Sequence, residues 1–211
     1  MTVEKVTPQS IALAAKLLNE GRLVAFPTET VYGLGADAAN DLAVASIFET
    51  KGRPQFNPLI AHIADISWVE RFAVMSPAAK KLAEKFWPGP LTMVMKKTPD
   101  SPISHLVSAG LDTVGVRFPV HPDAQKMLAA FGRPVAAPSA NISGTVSPTT
   151  AEHVAQGLGD KIPLILDGGA CAVGVESTIL DVSGDDTPAL LRAARHTASR
   201  KGIPSSILTR S

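Results

Sequence analysis

Short apolar runs bounded by turn residues alternate with helix-like patterns along most of this 211-residue chain. Runs of strand length occupy residues 23–26 and 114–118, and helical periodicity follows or precedes them. Near the end, residues 164–166, 178–182 and 189–191 read as three short strands, the last two with no helix between them. This order predicts an α/β fold, an open twisted mixed sheet flanked by helices.

Cap and proline signals place the helices. Helix starts are predicted at Pro8, Asp41, Pro77 and Pro122, and glycine stops at Gly21, Gly52 and Gly132. A further helix is predicted from a T-x-x-E capping box, with Thr149 as the cap and Glu152 as its partner.

Composition narrows the class of protein. A net charge of +1 excludes a strongly basic nucleic-acid binder of the histone kind. The single cysteine, Cys171, rules out an intramolecular disulfide and favours a reducing compartment. The chain begins without a secretory signal pattern and has no apolar run of membrane-spanning length, so we expect a cytoplasmic protein with no membrane partner. No acidic residue follows Asp186, which predicts a domain over residues 1–192 and a mobile basic tail over 193–211.

Three segments between elements differ from ordinary surface loops. Residues 26–35 and 138–148 are rich in small residues, prolines and hydroxyls, and residues 51–58 carry two cations, Lys51 and Arg53, beside a glycine and a proline. Standard signatures are missing: there is no P-loop, no G-x-S-x-G, and no metal-ligand spacing among the five histidines. Residues 33–38 fit G-x-G-x-x-A, but the acidic ribose partner is absent, which argues against a nicotinamide site.

Several polar residues in or near these segments have two possible roles each. Lys51 and Arg53 follow a predicted helix end, where they either bind phosphates or complement the helix dipole. Arg117 lies in an otherwise apolar strand and needs an anionic partner, which is either a ligand or an internal carboxylate. His62 either contacts a ligand or is a core histidine. Ser139 is either a phosphate donor or a turn cap, as is Ser147 in the same segment.

Taken in order, these motifs resemble the YrdC-like family of threonylcarbamoyl-AMP synthases. The matching stretches are FPTETVYGLGADA, KGRPQFNPLIAHI, WPGPLT, VGVRFPVHP, VAAPSANISGTVSPT and GVESTILD. The resemblance covers residues 8–192 and implies an open twisted α/β sheet around a deep concave cleft.

The resemblance also implies an activity. Family members join L-threonine, bicarbonate (as CO2) and ATP into threonylcarbamoyl-AMP and pyrophosphate, with Mg2+ held mainly by the ATP phosphates. A separate complex then transfers the threonylcarbamoyl group to tRNA. The alternatives are an RNA-binding module of the same fold without synthase activity, and a related adenylyltransferase or carbamoyl-transfer accessory. Weak RNA binding is a separate expected interaction of the chain. The shortage of aromatic residues among the basic ones disfavours the RNA module.

Site residues follow from the same resemblance. Those expected around L-threonine are Thr30, His62, Arg117, Ala137 and Ser177. Those expected around ATP are Lys51, Arg53, Asn57, Thr113, Ser139, Asn141, Ser147 and Arg192. Lys51, Arg53 and Arg117 form the expected catalytic group, and no residue is assigned as general base.

The resemblance ends near Arg192. The family pattern Leu-Arg-Pro-Gly is replaced here by Leu-Arg-Ala-Ala at residues 191–194, and the second domain of the longer members is not seen. We therefore hypothesise that the chain is altered or shortened relative to its relatives. Arg192 is the expected ATP contact that the resemblance supports least.

Overall fold

The computed structural model describes residues 1–184 and 187–194. The strands are β1 (Thr2–Lys5), β2 (Val24–Phe26), β3 (Gly33–Asp37), β4 (Ile60–His62), β5 (Leu91–Lys96), β6 (Thr113–Arg117), β7 (Val135–Ala136), β8 (Leu164–Asp167), β9 (Thr178–Asp181) and β10 (Ala189–Arg192). The α-helices are α1 (Pro8–Asn19), α2 (Asp41–Lys51), α3 (Pro77–Phe86), α4 (Pro122–Phe131) and α5 (Ala151–Leu158). Two 3-10 helices cover Ile66–Arg71 and Gly159–Lys161.

The strands of the described chain form one sheet in the order β1-β8-β2-β3-β7-β4-β6-β5-β9-β10. The sheet contains both parallel pairs, such as β4–β6 and β5–β9, and antiparallel pairs, such as β5–β6 and β3–β7. The predicted open mixed sheet flanked by helices is confirmed. Its centre brings β4, β6 and β5 side by side, and these strands carry His62, Arg117 and Thr92 in register.

Helices α1 to α4 begin where the cap signals predict. Thr7 caps α1, its hydroxyl accepting from the backbone N–H of Ser10, and Pro8 occupies the first turn. Helices α1 and α4 pack together over one apolar cluster that includes Phe26, while α2, α3 and α5 contribute to a second cluster. Helices thus bury their apolar faces in two clusters, and the polar segments between the elements remain available for a site.

The capping box predicted for α5 is wrong by one residue. Thr150 is the cap, and its hydroxyl accepts from the backbone N–H of His153, so Glu152 does not stand at the third helical position. The carbonyl of Thr149 instead accepts a hydrogen bond from the backbone N–H of Cys171. This hydrogen bond to a distant segment keeps Thr149 outside the helix.

The sequence places residues 33–35 in a segment between elements, whereas the structure has them in strand β3. All five of its residues are buried, and two of them are glycines. A Cβ on Gly35 would lie 2.8 Å from Cγ1 of Val135 and 3.0 Å from the ring of Phe26. The glycines therefore allow close strand packing and do not break the sheet.

The sequence predicts a mobile basic tail and no membrane-spanning segment. The proposed basic tail of residues 193–211 falls, from residue 195 onward, outside the described residues. Among the helices of the described chain, none combines the length and apolar character needed to cross a bilayer.

Candidate functional site

A cavity of about 610 Å3 lies over the central strands and is lined by residues from all three polar segments. Every residue predicted for the site lines it except Asn57. Strands β9 and β10 add Ile179, Asp181 and Arg192 to its wall. The structure thus brings together side chains that the sequence scatters from Thr28 to Arg192.

Asn57 stands just outside this lining. Its carbonyl accepts a 3.4 Å hydrogen bond from Nε of Arg53, while Nη2 of Arg53 donates to the carbonyl of Pro58 at 3.2 Å. Residues 57–58 therefore hold the Arg53 guanidinium at the cavity. The direct contact of Asn57 with ATP stays a prediction.

Lys51 is buried at the last turn of α2, with only 1% of its surface exposed. Its ammonium donates to the carbonyl of Ser139 at 2.5 Å and to the carbonyl of Asn141. Burial, and next the charge of Arg53, lower the pKa of Lys51 to about 8. Although Lys51 lines the cavity, these contacts show that it ties α2 to the segment carrying Ser139 and Asn141.

Burial and mutual repulsion disfavour the charged forms of the other cations in the cavity. The pKa of Arg53 is lowered by burial and then by Arg192. The pKa of Arg192 is also lowered by burial first, with Arg117 adding to the effect and Glu176 opposing it. Cations held this close favour an anionic ligand, whose binding relieves their repulsion.

Arg117 has an internal partner. Its Nη2 donates to Oε1 of Glu29 at 2.6 Å, and the two side chains are only 5% and 9% exposed. The internal carboxylate that the sequence left open as an alternative is therefore present. Arg117 still lines the cavity, and its buried Nε has no hydrogen-bond partner among the described residues.

His62 lies beside Arg117 in the register of β4 and β6 and is 3% exposed. Burial, and then the charge of Arg117, lower its pKa to about 3. The neutral ring donates from Nδ1 to the carbonyl of Ile60 at 3.1 Å and meets Phe26 edge-on at 6.1 Å. His62 is both a core residue and a cavity residue, and it offers an uncharged polar edge near neutral pH.

Hydroxyl groups connect the cavity floor to β10. The hydroxyls of Ser177 and Thr92 lie 2.8 Å apart, both buried. Arg192 donates from Nε to the carbonyl of Ser177 at 3.0 Å and from Nη2 to its hydroxyl at 3.2 Å. Arg192 therefore faces the cavity, although the chain leaves the family pattern at the next residue.

Two acidic residues also line the cavity and were not predicted. Glu176 accepts a short hydrogen bond from the hydroxyl of Ser147, which is the first cause of its lowered pKa. Asp181 lies at the end of β9. Within residues 1–184 and 187–194 no group of three or more His, Cys, Asp or Glu side chains is arranged to hold a metal ion.

The residues missed at the sequence level are Glu29, Thr92, Glu176 and Asp181. Glu29, Glu176 and Asp181 stand inside the quoted motifs, in FPTETVYGLGADA and GVESTILD. A buried arginine in a strand calls for a carboxylate somewhere, so Glu29 could have been sought among those motif acids.

Comparisons with known proteins agree with this geometry. The Sua5/YciO/YrdC family profile, described as telomere recombination, matches residues 16–194. A Bacillus subtilis protein named threonylcarbamoyl-AMP synthase is 55% identical over 86% of this chain and 52% of its own length. A Pyrococcus abyssi protein of the same name is 52% identical over 90% of this chain and 55% of its own length.

A solved structure of P. abyssi Sua5 complexed with L-threonine superimposes with a TM-score of 0.87. It shares 49% sequence identity and covers 91% of this chain and 57% of that one. The chain thus spans about half the length of these relatives. On the profile match and these identities, the chain belongs to the Sua5/YciO/YrdC family.

Proposed function

We propose that this chain synthesises threonylcarbamoyl-AMP and pyrophosphate from L-threonine, bicarbonate or CO2, and ATP. The observation that carries the proposal is the single cavity that joins a buried arginine pocket to a rim of further cations and hydroxyls. Relatives at 55% and 52% identity bear the name of that synthase, and a similar structure holds L-threonine.

In this proposal the amino acid occupies the buried end of the cavity. Its carboxylate pairs with Arg117, whose guanidinium lines the cavity. Thr30, Ala137 and Ser177 are all nearly inaccessible to solvent and bound a small pocket. The neutral His62 adds a polar contact without a second charge.

ATP occupies the more open end. Arg53 and Arg192 face its phosphates, and the cations' mutual repulsion makes an anion there favourable. Hydroxyls and amides complete the nucleotide end, from Thr113, Ser139, Asn141 and Ser147. Lys51 acts by holding the Ser139–Asn141 segment, and it adds a positive charge beside the phosphates.

The chemistry requires alignment more than a protein nucleophile. The threonine nitrogen attacks CO2 and forms an N–C bond while one C–O π bond opens onto oxygen; the nitrogen loses a proton to water or bicarbonate, which leaves a carbamate. A carbamate oxygen then attacks the α-phosphorus of ATP, and the bond to the β-phosphate oxygen breaks to release pyrophosphate. Both steps gain from fixing two anions at reacting distance and from neutralising phosphate charge.

Mg2+ fits this arrangement as a companion of the nucleotide. It is held mainly by phosphate oxygens and water, as is usual for Mg2+ in ATP sites, and neutralises phosphate charge when bound. The wall supplies the separate carboxylates of Glu176 and Asp181 near the nucleotide end, where either can bind water of the ion.

The product is a labile mixed anhydride and needs an acceptor. We propose that a separate complex transfers its threonylcarbamoyl group to tRNA, and that both steps take place in the cytoplasm.

Pyrophosphate release tests the proposal. The protein is incubated with ATP and Mg2+, with each amino acid in turn, and with or without bicarbonate. We expect release that requires both L-threonine and bicarbonate, with threonylcarbamoyl-AMP detected by mass spectrometry in equal amount. Release that is indifferent to either compound would overturn the assignment.

A further inference from the structure

We propose that Glu29 is a positioning residue that holds the Arg117 guanidinium in the one orientation that presents its remaining donors to the substrate carboxylate. This inference rests on the proposed function, since it concerns how the amino-acid end of the same cavity recognises its ligand.

The pair differs from the other ion pairs of the described chain. Arg117 and Glu29 are 5% and 9% exposed, whereas every other pair, such as Arg133–Asp37, has a partner at least 42% exposed. A buried charge pair contributes little net stability compared with apolar side chains, so its presence here points to another role. Glu29 is not among the cavity-lining residues, so it acts from behind Arg117 and does not touch the ligand.

Glu29 itself is anchored on both sides. Its carbonyl accepts from the backbone N–H of Val173 at 2.9 Å, and the carbonyl of Thr30 accepts from Gly174 at 3.0 Å. The hydroxyl of Thr28 closes the turn, donating to the carbonyl of Val31 at 2.6 Å. The side chain of Glu29 therefore extends from a backbone that is held in place, so its carboxylate can hold the group to which it binds.

The contact to Arg117 uses one atom from each side. Nη2 of Arg117 meets Oε1 of Glu29, while Nε of Arg117 and Oε2 of Glu29 stay buried without partners among the described residues. A bidentate pair would have used both. The contact holds one end of the guanidinium, and Nη1, which is neither hydrogen-bonded to the described residues nor among their buried unpartnered atoms, remains as the donor for a second anion.

Charge supports the same role. Arg117 lowers the pKa of both His62 and Arg192, so its own charge acts on two cavity neighbours. The carboxylate of Glu29 supplies the counter-charge that keeps this guanidinium in a buried strand before any ligand arrives.

The test compares Glu29→Gln and Glu29→Asp with the wild-type protein. Glu29→Gln keeps the shape and one acceptor but removes the charge; Glu29→Asp keeps the charge and shortens the reach. The matched control is Asp37→Asn, which disrupts the Arg133–Asp37 pair outside the cavity. Affinity for L-threonine and for ATP is measured separately by calorimetry, with melting temperature as the check on folding.

We expect Glu29→Gln to weaken L-threonine binding by about tenfold and to leave ATP binding within about twofold. Glu29→Asp should restore part of the loss. The wild type should bind L-threonine far better than L-threoninamide, which lacks the carboxylate, and this discrimination should shrink in Glu29→Gln. Asp37→Asn should change neither affinity, whatever its melting temperature.

Unchanged threonine affinity and discrimination in Glu29→Gln would overturn the inference. So would an equal loss for threonine and ATP, which would mark a purely structural residue. If both Glu29 variants fail to fold, the L-threoninamide comparison on the wild type decides: equal binding of the two ligands refutes carboxylate recognition. Threonine binding without pyrophosphate release would instead refute the proposed synthase activity and leave this inference standing.

Discussion

The two ends of the cavity are built differently. The residues expected around L-threonine (Thr30, His62, Arg117, Ala137 and Ser177) are all buried, with at most 4% of each exposed. Those expected around ATP are half-buried or exposed, with the exception of Lys51. The inner end is fixed by strand register and by paired polar groups before any ligand binds. The outer end rests largely on loop segments held by a few hydrogen bonds.

This difference indicates which end of the cavity selects its ligand and which end can adjust to it. A buried, pre-paired arginine discriminates strongly, because a ligand lacking the matching anion leaves polar groups unsatisfied. An open cationic rim binds phosphates through charge and tolerates small displacements. Substitutions at the inner end should therefore cost more, and affect threonine more, than substitutions at the outer end.

The largest effect is expected for Arg117→Ala. The variant loses the carboxylate contact and leaves Glu29 buried without its partner, which should cost about 3 kcal/mol of unfolding free energy. Threonine-dependent pyrophosphate release should fall by about 100-fold or more. Arg133→Ala is the matched control, because that arginine pairs with Asp37 outside the cavity. Full activity in Arg117→Ala would show that the arginine is purely structural.

The next largest effect is expected at His62, which should lower the free energy of unfolding as the pH falls. Its pKa is about 3 in the folded protein and 6.5 when unfolded, so the unfolded chain binds more protons between these values. The free energy of unfolding should be at its full value above pH 6.5 and should fall by roughly 2 kcal/mol by pH 5 from this group alone. Chemical denaturation of His62→Gln should show a shallower acid slope than the wild type. Identical slopes would contradict a buried neutral histidine.

Much of the fold and of the site was predictable from the sequence, and the part that was not has a physical reason. Helix α1 followed from Thr7 and Pro8 because caps act within a few residues. Strand β3 did not, because its glycines are required by Phe26 and Val135, which only the fold brings near. The site showed the same division: the motif positions lined the cavity, but the Glu29–Arg117 pair joins residues 88 positions apart.

Lys51, the one buried residue among those expected around ATP, should show an intermediate effect. Lys51→Met keeps the length but leaves the carbonyls of Ser139 and Asn141 without their donor. The Ser139 segment should then shift, and KM for ATP should rise by about tenfold while KM for threonine changes less. Lys80→Met, on the surface of α3, is the control. A larger effect on threonine than on ATP would refute the division between the ends.

The same residue gives a pH signature. Its pKa falls from 10.5 to about 8 on folding, so the unfolded chain binds more protons between these values. The lysine therefore destabilises the fold below pH 8, and this cost should fade as the pH rises to 10.5. The Lys51→Met variant lacks that rise, which melting curves across this range would detect.

The smallest effect is expected at the outer end, in Ser147→Ala. The hydroxyl of Ser147 binds Glu176, and that bond lowers the pKa of the carboxyl. Because the site is half-buried and water can replace the hydroxyl, KM for ATP should rise by only about threefold. Ser46→Ala, whose hydroxyl binds the carbonyl of Leu42 on α2, is the control and should leave both KM values unchanged. A loss in Ser147→Ala as large as that of Arg117→Ala would mean that the rim is as rigidly specified as the buried pocket. The contrast between a fixed inner end and an adjustable outer end would then be wrong.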